Sequence, residues 1–172
     1  MKTYTDAELK EILEKHWKWL KGKEGGQRAD LRDADLRETS LSGINWLAYI
    51  GIVPDANGKA RAYKMTNCEG EGPYNGGINY AEKDSFEVDD IDTDRFNLCG
   101  RGINLATLQW CLSEKSGSDY RLFLMEFDVS SDNICVPVAT DGKFRVKSCI
   151  KIGECDWNGN LLPAQPEGRG GH

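Results

Sequence analysis

The sequence predicts an α+β fold: an N-terminal helix, one short segment with a five-residue period, then a small, mostly antiparallel sheet carrying one short helix. Three observations predict it. Apolar residues recur at three- and four-residue steps near the N-terminus, a period of five runs from 29 to 48, and alternating apolar and polar runs dominate from 59 onward. The corresponding units are 1–24, an amphipathic helix; 25–48, the repeat segment; 49–157, an α+β domain; and 158–172, a Gly- and Pro-rich tail expected to lack fixed structure.

The helix is expected over 5–21. Thr5 can accept from the first-turn amides, and Glu8 stands three residues later, the spacing of a capping box. Leu9, Ile12, Leu13, His16, Trp17 and Leu20 then form one apolar stripe, with Lys10, Glu14, Lys15 and Lys18 on other faces. His16 lies on or beside the stripe and reads as a packed histidine hydrogen-bonded to a neighbour. The helix stops near Gly22.

From Ala29 the period changes. Ala29-Asp30-Leu31-Arg32-Asp33 is followed in frame by Ala34-Asp35-Leu36-Arg37-Glu38, Thr39-Ser40-Leu41-Ser42-Gly43 and Ile44-Asn45-Trp46-Leu47-Ala48. A period of five fits neither 3.6 nor 2, so an amphipathic helix and an ordinary strand are both excluded for this pattern. The segment resembles the pentapeptide-repeat family, in which each unit forms one side of a square, right-handed β-helix. Residues 8–38 are similar to a helical lead-in found before such repeats in phage and bacterial proteins. The resemblance implies one β-helix-like coil with Leu31, Leu36, Leu41 and Trp46 inward. One coil is too short for the DNA-mimicking rod of longer family members, and it must rest on its neighbours.

Beyond the repeat, 47–53 is β-like and Asn57-Gly58 is the strongest short hairpin signal, with 59–65 as the return strand. Residues 67–77 form a polar, Gly-rich loop. Short strands are expected at 78–80 and 85–88, and a glycine-bounded strand entry at 99–106. Thr107 can cap a helix through about Glu114. Strands are expected at 121–129 and 134–138. Another spans 143–152, where Arg145, Lys147 and Lys151 alternate with Phe144, Val146, Ile150 and Ile152. Residues 60–155 resemble an uncharacterised α+β domain of phage and bacterial proteins. That domain often carries His at the position of Asn104; the substitution weakens any catalytic role assigned there.

Charge and composition narrow the function. Apolar residues make up 39% of the chain and the net charge is −6. An acidic chain is poorly suited to holding nucleic-acid phosphates, so nucleic acid is not an expected partner. No apolar run approaches a membrane span, and the first residues lack a signal-peptide pattern, so a cytoplasmic protein is expected, in the host cytosol if phage-encoded. The six cysteines show no Cys-x-x-Cys pair and only two histidines accompany them, which argues against a zinc site; the thiols read as small buried hydrophobes. The aspartates at 89, 90, 92 and 94 lack EF-hand spacing. No metal or resident cofactor is expected.

Two classes of function remain. The first expectation is a non-catalytic, phage-type accessory protein that binds a small molecule, such as a nucleotide signal, or a host protein, with a homo-oligomer compatible. The candidate ligand-binding residues are Arg61, Tyr63, Arg101, Asn104, Thr107 and Arg121. Arg101, Arg121 and Arg145 suit bidentate phosphate recognition where they converge. The alternative is an NAD-using site laid out like an ADP-ribosyltransferase. Arg61 or Tyr63 would come from an early strand and 104–107 from a turn, with Glu126 on a late strand as the catalytic carboxylate that stabilises an oxocarbenium charge. A purely structural or interaction module is the third reading.

Overall fold

A computed structural model describes residues 3–31, 34, 44–73, 77–117 and 119–163. The first helix, α1 (Asp6–Leu20), begins with the expected cap: the Glu8 amide donates to Thr5 Oγ1 at 3.3 Å, and the Thr5 amide donates to Glu8 Oε2 at 2.8 Å. These bonds satisfy two of the amides that a helix start leaves without partners. Leu9 of α1 packs with Trp46 and Val138 in a satellite cluster.

His16 ties α1 to the rest of the chain. It is fully buried, stacked against Trp19 and Tyr49 at 5.6 and 6.1 Å between ring centroids. Its Nε2–H donates to the Thr140 carbonyl at 2.9 Å, and its Nδ1 accepts from the Ala29 amide at 3.3 Å. An acceptor at Nδ1 requires the neutral ring, and burial holds the pKa below its ordinary 6.5. The unfolded chain therefore binds a proton more readily than the folded one. The contribution of neutral His16 is fully present above about pH 6.5 and is lost as the pH falls from there through the lower folded value. Thermal unfolding of the native chain should show a steeper loss of stability between pH 7 and 5 than that of His16→Gln, which cannot take a proton. Parallel curves for the two proteins would remove His16 from the acid response.

The strands are β1 (Lys59–Asn67), β2 (Ser85–Glu87), β3 (Ile103–Ala106), β4 (Tyr120–Asp128), β5 (Ile134–Cys135), β6 (Lys143–Val146) and β7 (Ser148–Cys155). They form one antiparallel sheet in the order β2-β7-β4-β1-β3-β6-β5. The longest pairing, β1 with β4, runs nine residues from Lys59↔Asp128 to Asn67↔Tyr120. A single residue, Lys147, joins β6 to β7, which hold the sixth and second places in the sheet. Four strand spacings in a flat sheet amount to roughly 19 Å, whereas two Cα steps reach at most about 7.6 Å. The sheet must therefore curl until its two flanks meet at this corner. Asn133 stitches the seam. Its Nδ2 donates to the Asp128 and Ser148 carbonyls at 2.8 and 3.3 Å, and its Oδ1 accepts from the Ser148 amide and hydroxyl.

Alternation sets the two faces. The concave face collects Ala60, Ala62, Phe86, Ile103, Leu105, Phe123, Met125, Phe127, Phe144, Val146 and Cys149, and Leu47, Ile50, Ile52 and Tyr80 join the same core. The convex face carries α3 (Leu108–Glu114), packed with Met65, Ala106, Leu122 and Cys155 around Cys111. Thr107 caps α3 by accepting from the Trp110 amide at 3.2 Å. Among the described residues, no helix is long and apolar enough to cross a membrane.

The separate repeat coil expected over 25–48 is overturned. Most of the described chain is one seven-stranded antiparallel sheet with few helices, and among the described residues no coil stands apart from it. Residues 32–33 and 35–43, which hold much of the repeat, lie outside the described residues. Where the fourth repeat unit is expected, a short helix α2 (Trp46–Tyr49) forms instead, with Asn45 Oδ1 accepting from the Ala48 amide at 3.2 Å. Local capping chemistry, for which Asn is among the best residues, prevails there over the five-residue frame. Nor is 47–53 a strand: Leu47, Ile50 and Ile52 enter the core from a helical turn and the loop after it. A short apolar run does not distinguish those two outcomes. The expected strand at 143–152 breaks at Lys147, and 78–80 is a loop with one isolated bridge, Glu71↔Asn79. The tail is described as far as 163, with Leu161 bridged to Cys155; 164–172 lie outside the described residues.

Candidate functional site

Strands β1 and β3 pair at one position only, Tyr63↔Ala106. Past that point β1 continues into Lys64 and Met65 while the earlier residues of β3 lead away, and the gap opens into a cavity of about 800 Å³. Gly72 and Pro73 of the Gly-rich loop, Tyr80, Asn104, Trp110, Cys99 and Lys143 contribute to its walls. Its size lies within the range of small-molecule sites. Gly102, with φ +135°, leads into β3 here, and a Cβ at that position would sit 3.2 Å from Arg145 Cβ.

Lys64 stands at the bottom. It follows Ala60 and Ala62 on the concave face of β1, so the strand period turns its side chain inward, where it is only 8% exposed. Its Nζ donates to the Asn104 carbonyl at 3.1 Å, an acceptor left over where the ladder parts, and lies 4.6 Å from the centre of the Tyr80 ring. Among the described residues no carboxylate pairs with it. An ammonium carries three donors, and these two neutral partners leave it under-satisfied. Burial lowers its pKa from 10.5 to about 8, and the nearby Lys143 charge pushes the same way.

Lys143 is the second cation of the cavity. Its Nζ lies 3.3 Å from Cys99 Sγ and 5.7 Å from the centre of the Trp110 ring, again with no carboxylate partner among the described residues. Arg28 at the same cavity is paired with Asp141, which also accepts from Trp110 Nε1 at 3.1 Å. The result is a cavity where two ammonium groups with no carboxylate paired to them among the described residues stand beside aromatic rings, with Glu114 also on its wall, inside a chain of net charge −6.

The residues singled out from sequence fall into separate places. Tyr63 and Asn104 line this cavity. Arg61, Tyr63, Thr107 and Glu126 line a second cleft of about 680 Å³ beside 50–55. There Arg61 and Glu126 are directly opposed across β1 and β4, and the guanidinium holds the carboxylate at 2.8 Å. Arg101 pairs with Asp90 on an exposed loop, and Arg121 forks onto Glu154 through bonds of 2.9 and 2.6 Å. Arg145 is buried and occupied by loop carbonyls. The three arginines do not converge on a phosphate site. Sequence reasoning missed Lys64, Trp110 and Lys143. The alternation Ala60, Ala62, Lys64 was the signal available for the first: a charge on the apolar side of a strand. The aspartates of 89–94 serve their own loops: Asp92 accepts from the Asp94 amide and from Asn97 Nδ2, and Asp94 from the Phe96 amide.

Compared with models of protein families, with curated proteins and with solved structures, the chain matches none.

Proposed function

We propose that the protein binds a small anionic molecule, of which a phosphorylated nucleoside is the best-fitting class, in the cavity between β1 and β3, and does not turn it over. The observation that carries this reading is Lys64, a buried ammonium with no carboxylate partner among the described residues, at a cavity that Lys143 shares. A buried charge is costly unless it is paired, and an anionic ligand supplies the missing partner. Trp110, which lines the cavity, gives a planar base an aromatic surface. The setting would be the cytoplasm, that of a host cell if the chain is phage-encoded, with sequestration of a nucleotide signal as the role.

Differential scanning fluorimetry with NAD and a panel of linear and cyclic nucleotides tests this. A ligand at a hundred times its dissociation constant stabilises by about 2.7 kcal/mol, a shift of several degrees for a chain of this size. The shift should vanish in Lys143→Glu and persist in Arg101→Ala, whose exposed side chain pairs with Asp90 and is not among the residues lining the cavity. If no compound in the panel shifts the native chain, the reading fails and a protein partner or structural role takes its place.

One observation favours a second reading, the ADP-ribosyltransferase-like enzyme: Arg61, Tyr63, Thr107 and Glu126 line one cleft. Against it, Arg61 already occupies the Glu126 carboxylate. NAD turnover abolished by Glu126→Gln would support it over sequestration.

A further inference from the structure

We propose that Lys64 is a nucleophilic amine that captures a small anionic aldehyde as an imine. The inference rests on the reading of the β1–β3 cavity as an anion site and puts an anionic aldehyde in place of the nucleoside as the compound it holds.

The geometry points to this chemistry. An amine attacks a carbonyl only in its neutral form, and proteins favour that form by burying it away from carboxylates or beside another cation. Lys64 is buried with no carboxylate paired to it among the described residues, and the charge of Lys143 disfavours its protonated form. Its Nζ donates to the Asn104 carbonyl and lies over the Tyr80 ring, and the second cation lining the cavity is Lys143. Its lowered pKa of about 8 leaves a useful fraction of free amine near neutrality. The free amine keeps its position, because donation to the Asn104 carbonyl needs only one N–H, and a neutral amine retains two. Lys143 then takes the anionic group of the aldehyde, with Trp110 beside its planar part.

The step balances without a further reactant. The Nζ lone pair attacks the aldehyde carbon, and the carbonyl π pair goes to oxygen, which takes a proton from the newly cationic nitrogen. The resulting carbinolamine loses its hydroxyl as water when a second proton arrives from solvent. The product is a carbon–nitrogen double bond to Nζ, protonated and therefore still a cation in the cavity. Addition of water reverses it.

The test uses the full chain and pyridoxal 5′-phosphate as probe, with borohydride reduction and peptide mass spectrometry. At equimolar probe and pH 8, Lys64 should carry at least about ten times the label of any other lysine. Its labelling should rise through a midpoint near the amine pKa of about 8, well below the 10.5 of an ordinary lysine. Lys64→Arg and Lys64→Met should lose that label while keeping a native circular dichroism spectrum. Pyridoxine 5′-phosphate, which has the phosphate and ring but no aldehyde, is run alongside by thermal shift. Stabilisation by pyridoxine 5′-phosphate with label spread over exposed lysines overturns the imine and leaves the anion site standing. Labelling of Lys64 without stabilisation by pyridoxine 5′-phosphate supports the amine and removes the anion site. Neither effect overturns both.

Discussion

Lys64→Met should make the ligand-free protein more stable by about 2 kcal/mol at pH 7 while abolishing its response to anionic ligands. The gain follows from the shifted titration. A fall in pKa from 10.5 to about 8 means that holding the proton in the folded state costs roughly 3 kcal/mol relative to the unfolded chain. Loss of the bond to the Asn104 carbonyl takes back about 1 kcal/mol. Methionine matches the length and flexibility of the lysine stem, so the core should not collapse. The sign can be checked by pH. The folded pKa lies below the unfolded one, so the penalty is fully present below about pH 8 and disappears as the pH rises through 10.5. The stability difference between variant and native chain should therefore shrink from pH 7 to pH 10. Urea unfolding at both values reads it directly. A loss of stability in Lys64→Met at pH 7 would mean that the ammonium is a structural tie and not a site held in reserve for a ligand.

The opposite result is expected for the other buried cation. Arg145→Met should cost about 4 kcal/mol, because this guanidinium is fully employed. It is 1% exposed and donates through Nε to the Asp92 carbonyl at 2.5 Å, through Nη1 to Asn97 at 2.7 Å and through Nη2 to Asp94 at 2.6 Å. Each carbonyl left without a donor in a buried place costs about 1–3 kcal/mol. Arg145→Lys should recover only part of the loss, since a single ammonium cannot reach three divergent oxygens. Urea midpoints for the two variants measure this. A change under about 1 kcal/mol in Arg145→Met would mean that the 92–97 loop holds itself together without β6. The contrast is chemical: the planar, forked cation is satisfied by backbone, and the single-headed one is not.

Where the chemistry was local, the sequence was readable. Thr5 with Glu8 and Thr107 before Leu108 place two helix starts, because a cap is decided within four residues. The β4 run was equally plain from its alternation, whereas β1, read as the return strand of an Asn57-Gly58 hairpin, pairs with β4 and β3 instead. The misreadings lie where distant parts decide. Leu47 to Val53 has the composition of a strand, yet Asn45 starts a helical turn there. Residues 143–152 read as one strand because nothing in their alternation marks Lys147 as the corner between two flanks. The cavity itself is a mismatch between β1 and β3, and a missing ladder leaves no trace in either strand alone. His16 was legible as packed, but its partners Thr140 and Ala29 were not. Of the residues proposed for a site, Tyr63 and Asn104 reach the cavity, and the arginines read as ligand-binding are spent on carboxylates nearby.

The one-residue corner at Lys147 also dictates the order in which the chain can be born. β1 emerges from the ribosome early but waits for β4, whose residues pair with it across a separation of about sixty positions on average. The seam at Asn133 needs Ser148, so neither flank of the curl has its neighbour until synthesis has passed the last strand. Until then β1 and β4 form an unsealed ribbon whose apolar concave side faces water. Such a sheet closes only once β7 has been made, and until then it is open to aggregation and to chaperones.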